Sequence, residues 1–368
     1  MTAQVPSEAT RSPGILQGDV LADVRNHIGH LTLNRPAGLN AITLDMVRSL
    51  ARHLRAWADD PKVHAVVLRG AGEKAFCAGG DIRSLYDSYK SGDSLHEDFF
   101  VEEYALDLMI HHYCKPVLAL MDGFVLGGGM GLVQGADLRI VTERSRLAMP
   151  EVAIGYFPDV GGSYFLSRIP GELGIYLGVT ATQIRAADAL YCGLADWYVD
   201  SARLVDLDRK LDQLKWQGSP LKDLQGVLAK LGVQQLPDAP LAPLRPAIDH
   251  FFALPDVPSI VEQLQQVTVA DSHEWALNTA TLMQTRSPLA MAVTLEMLRR
   301  GRHLNLENCF ALELHLDRQW FDRGDLIEGV RALLIDKDKT PRWNPPTLQA
   351  LNAAHVESFF SAFDQNGN

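Results

Sequence analysis

The alternation of short buried strands with helices constrains the fold of this chain more than any other feature. At residues 43–60, apolar residues recur every three or four positions, which is typical of a helix with one buried face. Short apolar runs typical of strands surround this helix in the sequence. These runs are "HLTLN" (30–34), "AVVLRG" (65–70), "CKPVLALMDG" (114–123), "DLRIVTE" (137–143) and "RLAMPE" (146–151). Strands that alternate with helices predict an α/β fold with mostly parallel pairing.

The pattern changes beyond residue 200, where amphipathic helices follow one another. A Pro-rich stretch at 236–246 predicts a connector, and residues 288–321 predict two helices that are broken near Gly301. We therefore expect three parts in the chain. They are a flexible N-terminal tail at 1–20, an α/β core with the active site at 21–205, and a helical C-terminal region at 206–368.

Composition and charge exclude several classes of protein. The chain has 368 residues and a formal net charge of −11, so nucleic acid is a poor partner. Apolar runs long enough to cross a bilayer are missing from the sequence, so we expect no membrane association. The four cysteines are widely spaced without a CxxC pair, which favours a reducing compartment. Because the N-terminal residues lack an apolar signal core, we expect a loose tail and a cytoplasmic protein.

The stretch "VLGGGMG" at 125–131 places four glycines between a strand and a short helix. A dinucleotide site requires GxGxxG, but Leu132 stands where the last small residue should be. Two interpretations remain open at this point. The glycines allow either close packing of the helix on the sheet, or an anion site formed by free N–H groups at the helix start.

A second glycine pair, in "KAFCAGGDI" at 74–82, also follows a strand. Two glycine-containing strand ends can place two N–H donors around one oxygen atom. Such an oxyanion hole stabilises the enolate or tetrahedral intermediate of an acyl group. The alternative is that both segments are simply tight turns.

Two carboxylates stand among apolar residues and glycines in "MPEVAIGYFPDVGGSYFL" at 149–166. These are Glu151 and Asp159, and such surroundings raise a carboxyl pKa and suit a base or a nucleophile. For either acid alone, a solvated strand end or a turn is the simpler interpretation. The GxSxG and HExxH motifs are both missing, so we expect neither a serine nucleophile elbow nor a metal site.

Several stretches together resemble the crotonase (enoyl-CoA hydratase/isomerase) superfamily. They cover roughly residues 25–200 in the family's order and spacing, and the combination is far more specific than any one motif. The stretches are "LTLNRPAGLNAI", "KAFCAGGDI", "DGFVLGGGMGL", "RLAMPEVAIGYFPDVGGSYFL" and "ALYCGLADWYV". The resemblance implies a spiral of repeated ββα units with an extended helical C-terminal region. The hydrolase group of this superfamily resembles the chain most, through "FFVEEYAL", "AIGYFPDVGG" and the tail "EGVRALLIDKDKTPRWNPP".

The resemblance also implies roles for particular residues. The backbone N–H groups of Gly80 and Gly128 would form the oxyanion hole, and Glu151 matches the family's active-site glutamate. Asp159 matches the second acid of the hydrolases, and Glu103 matches a residue that lines the substrate pocket. One position departs from the hydratases. The residue that carries their second catalytic glutamate is Gly131 here, which favours thioester cleavage over hydration.

The expected activity is therefore hydrolysis of an acyl-CoA thioester, in the breakdown of a branched-chain amino acid. Glu151 would attack the carbonyl or activate water, and Asp159 would hold a substrate 3-hydroxyl or orient water. The alternatives are an enoyl-CoA hydratase or isomerase, a silent acyl-CoA-binding protein and, least favoured, a dinucleotide oxidoreductase. We expect no metal or organic cofactor, because CoA enters with the substrate. Family members commonly form trimers, so a homo-oligomer is expected.

The sequence also suggests how substrate is held. The basic residues of the tail at 331–343 are candidates for binding the CoA phosphates, although a solvated charged surface is the more cautious interpretation. The aromatic residues suggested for a small, partly apolar acyl pocket are Phe99, Phe100, Tyr156 and Phe157.

Overall fold

Two β-sheets organise the first half of the computed structural model, which describes residues 18–231 and 238–365. The larger sheet has the order β1-β2-β3-β5-β7-β9, and all its pairs are parallel except β1 with β2. The smaller sheet is parallel, with the order β4-β6-β8. The strands are β1 (Val20–Arg25), β2 (Ile28–Leu33), β3 (Ala65–Gly70), β4 (Ala75–Cys77), β5 (Val117–Met121), β6 (Phe124–Leu126), β7 (Leu138–Val141), β8 (Arg146–Ala148) and β9 (Trp197–Tyr198).

The chain passes from the larger sheet to the smaller one three times, from β3 to β4, from β5 to β6 and from β7 to β8. Helical structure follows each of these strand pairs. The result is a spiral of ββα units, so the predicted fold is confirmed. Because the short strands are parallel neighbours, their carboxyl ends meet at one edge of the smaller sheet.

Seven helices belong to this first half of the described chain. They are α1 (Leu44–Asp59), α2 (Ile82–Ser91), α3 (Leu95–His111), α4 (Gly128–Gln134), α5 (Gly162–Phe165), α6 (Leu173–Thr180) and α7 (Ala186–Tyr191). The start of α1 is fixed by Thr43, whose hydroxyl accepts a hydrogen bond from Met46 N at 3.3 Å. Its apolar residues Leu50 and Leu54 are buried, as the helical spacing predicts.

From Leu204 onward, the regular secondary structure of the described residues is helical. The helices are α8 (Leu204–Asp212), α9 (Pro220–Leu231), α10 (Leu241–Phe252), α11 (Val257–Gln265), α12 (Ala270–Met283), α13 (Pro288–Gly301), α14 (Leu306–Arg323), α15 (Leu326–Val330), α16 (Ala353–Glu357) and α17 (Ser361–Gln365). The helical C-terminal region is thus present, and the predicted break near Gly301 separates α13 from α14.

The predicted Pro-rich connector is wrong for most of its length, because α10 begins at Leu241 and contains Pro246. A proline inside a helix removes one backbone hydrogen bond. The buried side chains of Leu241, Ile248 and Phe252 offset that cost by packing into the core. Residues 236 and 237 of the predicted connector lie outside the described residues.

The predicted N-terminal tail also lies almost wholly outside the described residues, and β1 begins at Val20. Within the described ranges, the helices include none that is both long and apolar enough to span a membrane.

The helices α3 and α14 pack together beside the smaller sheet. α3 packs against α1, α4 and α14, and α14 also contacts α5. An edge-to-face contact between Tyr104 and Phe310 joins α3 to α14, with ring centroids 5.9 Å apart. These two helices therefore bring their side chains toward the loops that leave the smaller sheet.

Candidate active site

Three of the predicted site residues lie just after the three short parallel strands of the smaller sheet. Gly80 follows β4, Gly128 begins α4 after β6, and Glu151 follows β8. Each lies two or three residues beyond its strand, at the shared carboxyl edge of the smaller sheet. The repeat of the spiral thus brings together residues that are far apart in the sequence.

The backbone around Gly80 turns its N–H group toward Gly128. Ile42 N donates to Gly79 O and Asp81 N donates to Ile42 O, both at 2.8 Å. Peptide groups alternate in direction along an extended chain, so the Gly80 N–H points away from Ile42. The point that a Cβ on Gly128 would occupy lies 3.5 Å from Gly80 N. The two amides predicted to form the oxyanion hole are therefore neighbours.

At position 128 a carboxylate approaches the glycine backbone closely. A Cβ there would collide with Oε1 of Glu103, a residue of α3 that is 2% exposed. That oxygen is buried and has no hydrogen-bond partner within the described part of the chain. Burial, followed by the charges of Asp159 and Asp317, raises the pKa of Glu103 well above its usual range. Glu103 thus lies against the start of α4, and its predicted role in lining the substrate pocket stays a prediction.

Glu151 is a buried acid whose side chain faces the glycine turn. Its Oε1 lies 2.6 Å from the point that a Cβ on Gly127 would occupy, and Gly127 has a φ of +50° that favours glycine. Its Oε2 lacks a hydrogen-bond partner among the residues that the structure describes. Burial is the main cause that raises the pKa of Glu151, and the charges of Asp159 and Glu103 add to it.

Asp159 lies close enough to Glu151 to affect its ionisation, and it has a defined partner. The Tyr104 hydroxyl donates a 2.7 Å hydrogen bond to Asp159 Oδ2. Burial raises the pKa of Asp159 to about 7, although the bond from Tyr104 acts in the opposite direction. A carboxyl with this pKa exchanges protons readily near neutrality, which suits a group that accepts and releases a proton.

A carboxylate from α14 holds the loop that carries Asp159. Glu313 accepts hydrogen bonds from Gly161 N and Ser163 N, each at 2.7 Å, and from the Ser163 hydroxyl at 2.5 Å. The loop includes Val160, whose φ of +52° is unfavourable for a β-branched residue. Glu313 therefore fixes a strained turn next to Asp159.

Position 131 has no room for the glutamate that a hydratase would carry there. A Cβ on Gly131 would lie 2.5 Å from Asp107 Oδ2 and 2.6 Å from Val160 Cβ. Asp107 comes from α3, is fully buried, and neither of its carboxyl oxygens has a partner in the described residues. Its pKa is raised well above the usual range, first by burial and then by Glu103. An acid from a neighbouring helix therefore fills the space beside Gly131.

The aromatic residues predicted to line an acyl pocket are all buried. Phe99 Cζ lies 3.2 Å from the point that a Cβ on Gly80 would occupy, so this ring borders the Gly80 backbone. Tyr156 stacks on Phe157 with ring centroids 4.4 Å apart, and Phe100 contacts Tyr156 at 5.8 Å. Together they form an apolar wall beside the buried acids.

Sequence reasoning missed four of the residues that the structure adds to this site. They are Tyr104, Asp107, Glu313 and Asp317. A signal was present, because two pairs of acids on α3 and α14 are separated by four residues, and each pair therefore shares a helix face. The pairs are Glu103 with Asp107 and Glu313 with Asp317. Each face also carries apolar residues that are buried.

Two further points concern possible ligands. Of the tail cations suggested for the CoA phosphates, Arg331 is already paired with Glu328, Asp336 and Asp338, at 2.6 to 2.7 Å. This residue is therefore a structural ion-pair centre, and its part in the suggested phosphate site is not supported. In residues 18–231 and 238–365, His, Cys, Asp and Glu side chains form no cluster of three or more that suits a metal ion.

Comparison with known proteins identifies the class to which this site belongs. Residues 28–360 match the family described as enoyl-CoA hydratase/isomerase. The chain therefore belongs to this family, within the crotonase superfamily, and the predicted resemblance is confirmed.

Particular relatives are similar over almost the whole chain. The mitochondrial 3-hydroxyisobutyryl-CoA hydrolase of Danio rerio is 39% identical over 94% of this chain and 90% of its own length. The human protein of the same name is 37% identical over 94% of this chain and 89% of its own length. A structure titled carnitinyl-CoA dehydratase, from Mycobacterium thermoresistibile, is 38% identical and has a TM-score of 0.85, covering 94% of this chain and 96% of its own.

A second structure adds to this comparison. It is titled enoyl-CoA hydratase, comes from Rhodobacter sphaeroides, and is 37% identical with a TM-score of 0.84, covering 93% of this chain and 97% of its own. The names of these relatives divide between thioester hydrolysis and chemistry at a carbon–carbon double bond. Position 131 bears directly on that division.

The cytoplasmic location predicted from the sequence is wrong. The relatives from fish, chicken, frogs, rodents, cattle and human are all named as mitochondrial proteins. The prediction depended on the absence of an apolar signal core. This absence does not distinguish a cytoplasmic from a mitochondrial protein, because mitochondrial transit peptides are amphipathic.

Proposed function

We propose that this chain hydrolyses 3-hydroxyisobutyryl-CoA to 3-hydroxyisobutyrate and free CoA, as a step of valine degradation. The observation that carries the proposal is the convergence of the Gly80 and Gly128 amides beside buried Glu151, with Asp159 as the second acid. The curated hydrolases, similar over most of the chain, support the same activity.

The reaction begins with the thioester carbonyl oxygen between the two glycine amides. Attack on the carbonyl carbon places a negative charge on that oxygen, and we assign its stabilisation to the N–H groups of Gly80 and Gly128, which lie close together. One such donor typically stabilises a transition state by about 3–4 kcal/mol. Since α4 has only seven residues, we attribute this stabilisation to the local amides rather than to a long helix dipole.

Glu151 supplies the attack in its ionised form. It either bonds to the carbonyl carbon and forms a mixed anhydride, which water then cleaves, or it removes a proton from an attacking water molecule. Hydroxylamine present during turnover distinguishes these routes. An anhydride is converted into a hydroxamate on the peptide that contains Glu151, whereas the general-base route leaves that peptide unmodified.

Asp159 and Glu103 give the site its preference for a hydroxylated acyl group. Both are buried acids that lie beside an apolar wall of aromatic rings. A site built to hydrogen-bond a hydroxyl discriminates strongly against a substrate without one, because its buried polar groups then remain unpaired. We therefore assign the 3-hydroxyl group of the substrate to Asp159.

Hydration of an enoyl-CoA is the second candidate, because two solved structures that are 38% and 37% identical to this chain carry titles of that chemistry. It requires two acids around the water that adds to the double bond. The place of one of them is taken by Gly131, and Asp107 and Val160 fill the adjacent space. This arrangement favours hydrolysis.

The test compares three substrates with one enzyme preparation. Thiol release is followed with 3-hydroxyisobutyryl-CoA and with isobutyryl-CoA, and crotonyl-CoA is followed by its conjugated absorbance. We expect the highest kcat/KM for thiol release from the hydroxylated substrate and no hydration of crotonyl-CoA. Equal values for the two saturated substrates would contradict the role of Asp159, and rapid hydration without thiol release would contradict the proposed function.

A further inference from the structure

One face of α14 packs on the segment 155–163, which carries Asp159. Four residues of this helix stand three or four positions apart, so they share that face, and all four are buried. They are Phe310, Glu313, Asp317 and Trp320. The C-terminal helical region therefore supports a part of the candidate active site that lies far away in the sequence.

The start of the segment is tied to α14 by two hydrogen bonds. Trp320 Nε1 donates to Gly155 O at 2.8 Å, and the Tyr156 hydroxyl donates to Asp317 Oδ1, also at 2.8 Å. All four groups belong to side chains or backbone that the fold places between α14 and the acid-bearing turns. The approach of the segment toward Asp159 is thus fixed before the turn that follows it.

The end of the segment is held by Glu313 alone among the α14 carboxylates. Oε2 accepts from Gly161 N, and Oε1 accepts from Ser163 N, each at 2.7 Å, and from the Ser163 hydroxyl at 2.5 Å. All three partners are donors, so both oxygens must act as acceptors, as those of an ionised carboxylate do. Burial raises the pKa of Glu313 to about 8, and the bonds from its donors act in the opposite direction because they favour the ionised form.

The turn that these bonds hold is strained and includes the backbone of Asp159. Val160 and Gly161 have φ values of +52° and +85°, and the first is unfavourable for a β-branched residue. Gly162 N donates to Asp159 O at 2.7 Å, so Asp159 belongs to the same turn. Strained backbone persists only where surrounding contacts hold it. Without the acceptors of Glu313, the turn should relax and carry the Asp159 carboxyl group with it.

The side chain of Asp159 has a second support, which α14 also contacts. The Tyr104 hydroxyl donates to Asp159 Oδ2 at 2.7 Å, and the Tyr104 ring packs edge-to-face on Phe310. Phe310 Cζ in turn lies 3.1 Å from the point that a Cβ on Gly161 would occupy. The helix therefore contacts both the turn and the tyrosine that fix the direction of this carboxyl group.

We propose that Glu313 is a positioning residue for Asp159, and that it thereby sets the preference of the site for a hydroxylated acyl group. Glu313 acts through the turn and not by contact with the substrate. A misplacement of about 1 Å in a positioned group can lower a rate by about 10²-fold. The inference rests on the proposed function, because that function assigns the 3-hydroxyl group of the substrate to Asp159.

The experiment measures a selectivity ratio, which does not depend on how much of a preparation is folded. The ratio divides kcat/KM for thiol release from 3-hydroxyisobutyryl-CoA by that from isobutyryl-CoA, above pH 8, where Glu313 is ionised. In Glu313→Gln an amide NH₂ group faces one of the three donors, so we expect the ratio to fall at least about tenfold. The fall should come from the hydroxylated substrate, with little change for isobutyryl-CoA.

A double-variant cycle tests whether Glu313 acts through Asp159. Asp159→Asn alone should lower the ratio. Adding Glu313→Gln to this variant should lower it no further, because the group that Glu313 positions is already altered.

A matched control replaces a buried acid elsewhere in the fold. Asp188 is 5% exposed and accepts a 2.9 Å hydrogen bond from Leu241 N, so Asp188→Asn should leave the ratio unchanged. If Glu313→Gln does not fold, Ser163→Ala removes one of the three donors and should lower the ratio by a smaller factor.

Two results would overturn the inference. One is an unchanged ratio in Glu313→Gln, including equal losses on both substrates, since this would show a role in stability alone. The other is a fall in the double variant by the same further factor as in the single variant, since Glu313 would then act independently of Asp159. A wild type that releases no thiol, or that does not prefer the hydroxylated substrate, contradicts the proposed function and is recognised without any substitution.

Discussion

The strand ends and the flanking helices contribute to the site in different ways. The carboxyl edge of the smaller sheet provides two backbone amides and Glu151, each at an equivalent point of the ββα repeat. The helices α3 and α14 provide Tyr104, Asp107, Glu313 and Asp317, which surround the catalytic acids and are buried. The difference teaches that the repeat of the fold brings the proposed reacting groups together, while the packing of α3 and α14 buries the acids among them and raises their pKa values.

The largest loss of activity should come from a substitution among the residues that follow the strands of the smaller sheet, which we call the strand-end side. Glu151→Gln removes the group that attacks or activates water, so we expect kcat to fall at least about 10³-fold, with affinity for the CoA ester largely retained. Thiol release and calorimetric titration measure the two quantities. Glu73→Gln, whose side chain is 85% exposed, is the matched control and should remain fully active. An active Glu151→Gln variant would remove the strand-end residue from the mechanism.

Gly128→Ala should reduce activity by about 10²-fold to 10³-fold, because the added methyl group collides with Glu103 and lies near the Gly80 amide. Gly226→Ala, in α9, adds a methyl group with nothing within 4 Å and should leave activity unchanged. Steady-state kinetics on both variants provide the comparison. Wild-type activity in Gly128→Ala would contradict the oxyanion hole.

Gly131→Ala tests the contact between α4, which follows a strand end, and the flanking helix α3. The added methyl group would overlap Asp107 and Val160, so we expect a loss of about 1–3 kcal/mol in the free energy of unfolding, measured by urea denaturation. Asp107→Ala in the same chain should relieve part of this loss. An unchanged stability of Gly131→Ala would show that the space beside position 131 is open.

The smallest expected effect is a dependence of the free energy of unfolding on pH. It should arise from the buried acids of the flanking helices α3 and α14, which we call the helix side. Burial raises the pKa of Glu313 and Asp317 to about 8, so the folded state binds more protons than the unfolded state from mildly acidic pH to that value. Stability should therefore fall as pH rises from 6 toward 9. Thermal unfolding across this range should show the fall, and Asp317→Asn should flatten it. A stability that rises with pH would contradict the assigned burial.

Much of the strand-end side could be predicted from the sequence because its signals are local. Gly80, Gly128 and Glu151 each stand just after an apolar run, in motifs that match a known family, and the structure brings them together at one sheet edge. Their roles stay predictions until the variants are measured.

The helix side could not be predicted in the same way, because it depends on contacts between distant segments. Nothing near Asp107 in the sequence indicates that its carboxyl group lies against Gly131, and nothing near Glu313 indicates that it holds the Asp159 loop. Contacts between distant segments also explain why the predicted connector at 236–246 is wrong. The burial of Ile248 and Phe252 stabilises the helix α10 in spite of its proline. The sequence itself shows only that α3 and α14 each carry two acids four positions apart, which places each pair on one face of its helix.

The most direct measurement of the central claim is the stoichiometry of products from 3-hydroxyisobutyryl-CoA, with free CoA and the hydroxy acid quantified in the same reaction by mass spectrometry. We expect equal amounts of CoA and 3-hydroxyisobutyrate from the wild type and from Glu73→Gln, and neither product from Glu151→Gln. A wild type that leaves this thioester intact while it hydrates crotonyl-CoA would contradict the account.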